Sequence, residues 1–238
     1  IIITAGRNRK PGETRLDLIA GNSAILKNVV DQMKPHYTKG VIMIVSNPVD
    51  VLVYQCTKWM GLPNGMVFGT GCILDSSRFT RLIADYTRLN TEVVKATIVG
   101  EHGDAQIPIW SRVSIAGVPI QEYCENVGLR WGENIRKDIS DKVREMGATI
   151  IKGKGRTHYG IATCVCYLAE AVLNQRLTIA PVSTMFQGEY GIEDVCLSVP
   201  SIIGVNGVEK RLEERWAEEE FLAFRQAAEK MRNVLKTL

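Results

Sequence analysis

Three short apolar runs, each ending in small or turn-forming residues and each separated from the next by a stretch with helical spacing, restrict the first third of this chain to one layer architecture. Ile1-Ile2-Ile3-Thr4-Ala5-Gly6, Val41-Ile42-Met43-Ile44-Val45 and Met66-Val67-Phe68 are apolar through their centres rather than alternating, the pattern of strands covered on both faces. Between the first two, after a loop Arg7 to Thr14 holding Pro11-Gly12, the residues Leu16, Ile19, Ile25, Leu26, Val29, Val30 and Met33 recur at helical spacing as far as Pro35. A second helix is expected from near Val49 to Gly61-Leu62-Pro63. Strand, helix, strand, helix, strand is the half-unit of a doubly wound parallel α/β sheet.

The remaining sequence has a different texture. A helical pattern from Asp75 to about Tyr86 precedes an expected strand from Val93 to Val99, which runs into Gly100-Glu101-His102-Gly103-Asp104. A hairpin of Ser111 to Ile115 and Val118 to Ile120 turns on Ala116-Gly117. Helices follow from about Trp131 to Lys152 and from Thr157 to Asn174, then strands Ala180 to Phe186 and Val195 to Val205, then a charged amphipathic helix from Glu213 to Leu238. This is an α+β arrangement. The division expected is 1–72 and 73–238, and with no Pro/Ser-rich linker between them the two parts should pack closely.

A formal charge of +3, from 29 Lys+Arg against 26 Asp+Glu, is far from the basic stripe of a nucleic-acid binder and excludes DNA, RNA and anionic membranes as default partners. A hydrophobic share of 45% excludes intrinsic disorder. No uninterrupted run of about 18 apolar residues is present, so no membrane-spanning helix is expected. Cys56, Cys72, Cys124, Cys164, Cys166 and Cys196 lie mostly in apolar stretches without paired metal-ligand spacing. They read as reduced thiols in a cytoplasm, with no metal site.

Among candidate functional residues His102 stands out, as one of three histidines, flanked by two glycines just after an apolar strand. It reads either as a surface histidine in a turn or as a general acid/base held by a rigid strand. A buried carboxylate partner decides between these. Asp75, in Leu74-Asp75-Ser76-Ser77-Arg78, is the candidate, and reads either as a helix N-cap or as the group that fixes the histidine tautomer and favours its protonated form. Arg78 lies three residues on along the same helical face, where its guanidinium is either solvated or grips a carboxylate through two parallel hydrogen bonds. The segment Arg7 to Arg15 carries four cations and one anion in nine residues. It is either a solvated basic turn or a flap closing over an anionic small molecule, since ligands of open α/β sheets bind beyond the carboxyl ends of the strands. Asn47, in Ser46-Asn47-Pro48-Val49-Asp50, is a turn asparagine or a second residue facing that crevice.

Taken in order, ITAG, RKPGETR, SNPVD, GTGCILDSSRF and GEHGD resemble the NAD-dependent lactate/malate dehydrogenase family, and the similarity continues through PVSTM, YGIEDV and LSVPSIIG to the last helix. The resemblance implies strands four to six of a Rossmann sheet, its C-terminal half, over residues 1–72 and an α+β catalytic domain over 73–238. It makes His102 the proton donor and acceptor, Asp75 its orienting partner, Arg15 the group that polarises the substrate carbonyl and Arg78 the clamp on the 1-carboxylate. Asn47 touches substrate and nicotinamide, Thr157 lies near the substrate, and Gly6, Asn8, Val45, Ser46, Asn47 and Thr70 line the NAD. A homodimer or homotetramer is implied as well.

Substrate choice is read from Arg9, six positions before Arg15, where lactate-selective relatives typically carry glutamine and malate-selective ones arginine. An arginine there pairs with the second carboxylate of a dicarboxylate, and leaving such a charge unpaired costs roughly 2–5 kcal/mol. The expectation is therefore a malate dehydrogenase. The alternatives are an L-lactate dehydrogenase and a catalytically incompetent fragment serving as a structural or interaction module. The positions that hold fructose 1,6-bisphosphate in allosteric bacterial lactate dehydrogenases carry Thr80 and Lys95 here, so sugar-phosphate activation is not expected. The family's glycine fingerprint and ribose-binding acid belong to strands one and two, whereas Ile1 to Ala5 matches strand four, which implies roughly 75 to 90 residues of a first half ahead of Ile1. Ile1 to Ala5 is then expected to form an exposed apolar edge and the isolated chain to fold poorly.

Overall fold

The computed structural model describes residues 1–8 and 14–238. The three apolar runs form β1 (Ile2–Ile3), β2 (Ile42–Ile44) and β3 (Val67–Gly69), parallel and aligned through Ile3↔Ile44 and Ile44↔Gly69. They are joined by α1 (Arg15–Met33) and α2 (Val49–Met60). Thr14 starts α1 with a capping box: its Oγ1 accepts from the Asp17 N–H at 3.1 Å, while the Asp17 carboxylate accepts from the Thr14 N–H at 2.9 Å. Gly61, at φ 68°, ends α2 in the left-handed conformation that glycine adopts without a Cβ clash. Gly69 has a packing reason: a Cβ there would come within 2.5 Å of Val49 and 2.6 Å of Val53, so its absence lets α2 lie against β3. Ile3, Leu26, Val30, Ile42, Leu52 and Val53 fill the core between them. Ile1 and Ile2 are about half exposed at the margin of the sheet.

The second part contributes α3 (Ile73–Thr87), β4 (Val94–Lys95), β5 (Ile98–Gly100), β6 (Gln106–Pro108), β7 (Ser114–Ile115), β8 (Val118–Pro119), α4 (Ile120–Asn126), α5 (Glu133–Lys154), α6 (Tyr159–Leu173), β9 (Thr178–Gln187), β10 (Glu193–Gly204), β11 (Gly207–Arg211) and α7 (Glu218–Leu235). Among the described residues the main sheet runs β1-β2-β3-β9-β10-β5-β6, with β11 also on β10. The long β9/β10 hairpin is antiparallel and joins β3 at Ser183↔Gly69, so the two parts share one α/β sheet. That continuity brings the end of β5 beside the carboxyl ends of the parallel strands.

β6, α4 and β11 have no counterpart in the sequence reading, the strand expected from Ser111 starts only at Ser114, and two further elements differ more. The strand expected over Val93 to Val99 is broken: β4 pairs with β7 in a separate three-stranded sheet, whereas β5 pairs with β6 and β10. At the break the Ile98 N–H donates to the Ser76 hydroxyl of α3 at 2.9 Å instead of to a neighbouring strand. The last helix begins at Glu218, not Glu213, because the preceding residues wrap Tyr190. Glu213 accepts the Tyr190 N–H at 2.9 Å, the Glu214 N–H donates to the Tyr190 hydroxyl at 2.7 Å, and Trp216 stacks on its ring at 4.6 Å.

Candidate active site

β5 ends at Gly100, whose φ of 91° and 3.0 Å approach of a would-be Cβ to the Ala105 carbonyl both demand glycine. The turn delivers His102 over the first turn of α3. There the Nδ1–H of His102 donates to Asp75 Oδ2 at 2.6 Å, and the other oxygen of Asp75 accepts from Arg78 Nη1 at 3.3 Å. Asp75 is 4% exposed, whereas the His102 side chain keeps 25% of its surface accessible. A carboxylate only accepts, so it fixes the hydrogen on Nδ1 and leaves Nε2 as the nitrogen that can exchange a proton with a ligand. Burial works against charging the ring. The hydrogen bond and negative charge of Asp75, with the charge of Asp50, outweigh burial and the opposing Arg78 cation, and hold His102 above the ordinary histidine value.

The geometry bears on both open readings, since Asp75 is a buried carboxylate in contact with the His102 ring. Asp75 is not a helix cap, since α3 has Cys72 at its N-cap and no side-chain cap bond. His102 is not a solvated turn residue. Most of the other predicted residues lie in the segments that follow β1, β2 and β3. Gly6 and Asn8 follow β1 and are exposed; Val45 and Ser46 follow β2 and are half-buried; Asn47 is exposed; Thr70, buried, follows β3. The Ser46 hydroxyl donates to the Ala5 carbonyl at 2.6 Å, and the Thr70 N–H to the Ile44 carbonyl at 3.0 Å. Thr157 lies in the exposed loop between α5 and α6. Arg9 lies outside the described residues, and Arg15 is placed only by its backbone, as the first residue of α1. Thr80 and Lys95 line a different pocket, of about 600 Å³, together with Ser76, Ser77, Tyr167 and Ile179.

Two residues escaped the sequence reading. Asn22, 2% exposed, accepts from the Arg7 N–H at 2.8 Å and donates to the carbonyls of Arg7 at 3.1 Å and Asn47 at 2.6 Å, tying the two crevice loops together. Its signal was a polar residue lying three after Ile19 and four before Leu26, on the apolar stripe of α1. Asp50, also 2% exposed, accepts the His102 N–H at 2.8 Å. It stood in the SNPVD motif, where an acid in the first helical turn reads as a response to the helix dipole. Asn22→Ala removes three part-buried hydrogen bonds, and is expected to lower stability by about 1–3 kcal/mol in urea unfolding; a wild-type midpoint would rule the network out as a structural tie.

The residues at the first two strand ends leave room for a dinucleotide at Gly6. At Gly6 a Cβ would stand 3.3 Å from that of Ser46, so glycine keeps open the shelf between the first two strand ends. The polar atoms nearest that position are the Ser46 hydroxyl at 3.4 Å and the Asn22 Oδ1 at 3.5 Å.

Residues 1–69 match the family model for the NAD binding domain of lactate/malate dehydrogenases, and residues 72–238 the model for their alpha/beta C-terminal domain. The L-lactate dehydrogenase of Thermoanaerobacterium saccharolyticum is 41% identical over 238 residues, 100% of this chain and 76% of that protein. That of Acetivibrio thermocellus is 37% identical over the same 238 residues, 75% of its length. Among solved structures, a minor L-lactate dehydrogenase from Enterococcus mundtii, with ligands bound, superposes with a TM-score of 0.94 at 38% identity, covering 100% of this chain and 75% of that one. An L-lactate dehydrogenase from Clostridium thermocellum gives 0.87 at 42% identity, covering 100% and 76%. These relatives overturn the malate preference read from Arg9. One long cation on a basic loop can turn to solvent, and weighs less than similarity running through the whole chain to proteins of the lactate class.

Proposed function

Because this chain belongs to the lactate/malate dehydrogenase family, we propose that it is an NAD-dependent L-lactate dehydrogenase, interconverting pyruvate and L-lactate. The observation that carries the reading is the His102–Asp75 pair at 2.6 Å, with Arg78 on the second oxygen of the same carboxylate. When bound, the cofactor would supply the redox chemistry, NADH giving a hydride to C2 of pyruvate and NAD+ accepting one from C2 of lactate. His102 gives its Nε2 proton to the carbonyl oxygen in reduction and removes the hydroxyl proton in oxidation. Asp75 holds the ring in the productive tautomer and offsets its positive charge. Arg78 grips the substrate carboxylate as a planar fork.

Arg15 meets the charge that develops on the carbonyl oxygen, a contact strongest where water is excluded. Asn47 and Thr157 complete the substrate side, while Gly6, Asn8, Val45, Ser46 and Thr70 face the cofactor. Residues 1–72 are the cofactor-binding part and 73–238 the substrate part. A homodimer or homotetramer belongs to the reading, supported by the exposed Tyr159, Leu173, Leu177 and Ile179. So does a cytoplasmic location, supported by six unbridged cysteines.

The lactate assignment is tested by kcat/KM of the full chain for pyruvate and for oxaloacetate with NADH. Pyruvate is expected to be the better substrate; a ratio favouring oxaloacetate would overturn the assignment without touching the family.

A further inference from the structure

We infer that Asp50 is a positioning residue for His102, pinning its backbone through the His102 N–H and adding a second buried carboxylate close to that residue. The inference rests on the reading of His102 as the acid/base. Asp50 occupies the first turn of α2, directly after the Ser46-Asn47-Pro48 turn, so its side chain links the cofactor shelf to the loop that carries His102. It is 2% exposed, and its Oδ2 accepts the His102 N–H at 2.8 Å. The loop needs such a pin. Gly100 and Gly103, on either side, both take positive φ, at 91° and 154°, which glycine does at little cost and with little stiffness. The ring is fixed at Nδ1 by Asp75, and the backbone of the same residue by Asp50. Two helices thus hold one histidine at two points.

The bond and the charge are separable contributions. The N–H needs only an acceptor, which an amide oxygen also provides. A full negative charge in a buried setting also acts on the ring, where it favours the imidazolium. The charged groups acting on His102 are Asp75 and Arg78 from α3 and Asp50 from α2, while Glu101 and Asp104 belong to its own loop. Asp75 and Asp50 both stabilise the positive ring, and Arg78 opposes them.

The test uses the full chain and the ring protons of its three histidines, followed by NMR across pH, with His102→Gln serving to assign the His102 signal. Asp50→Asn keeps an acceptor and drops the charge. It is expected to lower the His102 ring pKa by about one unit, to move the alkaline limb of pyruvate kcat/KM down by the same amount and to leave the NADH Kd within twofold. Asp50→Ala drops both contributions and should lower kcat at the pH optimum by a further factor of about ten, as the loop loses its pin. Asp50→Glu keeps the charge but displaces the acceptor, and should hold the ring pKa near wild type while kcat falls. A wild-type ring pKa in folded Asp50→Asn overturns the electrostatic part, and equal kcat in Asp50→Asn and Asp50→Ala overturns the pin. If Asp50→Asn does not fold, a ring pKa in Asp50→Glu about a unit below wild type overturns the electrostatic part instead. A chain that reduces no 2-oxo acid, yet whose His102 pKa falls in Asp50→Asn, refutes the proposed reaction and supports the role of Asp50.

Discussion

Replacing His102 with glutamine is expected to lower kcat for pyruvate reduction by about 10²–10⁴-fold, the range contributed by a positioned general acid, while the NADH Kd stays near wild type. Glutamine retains a hydrogen-bond donor, so binding survives; what it lacks is a proton to release. The pH dependence gives the sharper reading. Reduction requires the imidazolium, and the ring pKa is raised by Asp75 and Asp50 against burial, so the rate should be level at low pH and fall as pH rises through that raised value. Lactate oxidation needs the neutral ring and should rise over the same interval. Both limbs should vanish in His102→Gln. Stability follows by linkage. A pKa raised in the folded state contributes stability that is fully present below the unfolded value, about 6.5, and is lost as pH rises through the folded value. Urea unfolding should therefore separate wild type from His102→Gln more at pH 5.5 than at pH 9. A variant within threefold of wild type in kcat, or a wild type whose reduction rate ignores pH, would remove His102 from the chemistry.

The parallel strands were legible because burial on both faces writes itself as uninterrupted apolar runs, and because Gly61, Gly69 and Pro48 mark real ends. The His102–Asp75 pair was legible only as a candidate: the two residues are 27 apart in sequence, and their contact depends on β5 joining the same sheet as β3 through β9 and β10. That junction has no local signature. β4 and β5 looked like one strand, since Val94, Ile98 and Val99 are all buried and apolar, and nothing local says that they serve two sheets. Asn22 and Asp50 were missed for a related reason. Both act on backbone groups of distant loops, and a backbone N–H or carbonyl is the same at every position, so the sequence records the polar side chain but not its target. Arg9 taught the opposite lesson. Its charge was fully visible, and the weight placed on it assumed a location that composition of the loop does not determine.

Changing Arg78 to glutamine is expected to raise KM for pyruvate by roughly 30-fold to several thousand-fold, the loss that follows when one partner of a desolvated charge pair is removed. The side chain is only 13% exposed and already oriented by Asp75, so little entropy is spent when a carboxylate arrives, and the fork's two donors fit it in one plane. Arg78→Lys keeps the charge but not the fork, and should fall between. General damage is distinguished from loss of the clamp by the sign of a second effect. The Arg78 cation depresses the His102 pKa, so its removal should move the alkaline limb of the reduction profile upward. Asp50→Asn moves the same limb downward. The two substitutions lie on different helices, touch the same histidine from opposite electrostatic sides, and should roughly cancel in the ring pKa of the double variant while the KM defect of Arg78→Gln persists. Unchanged KM in Arg78→Gln would show that the substrate carboxylate is held elsewhere, and a limb that moves downward would show that Arg78 acts on His102 only by keeping Asp75 in place.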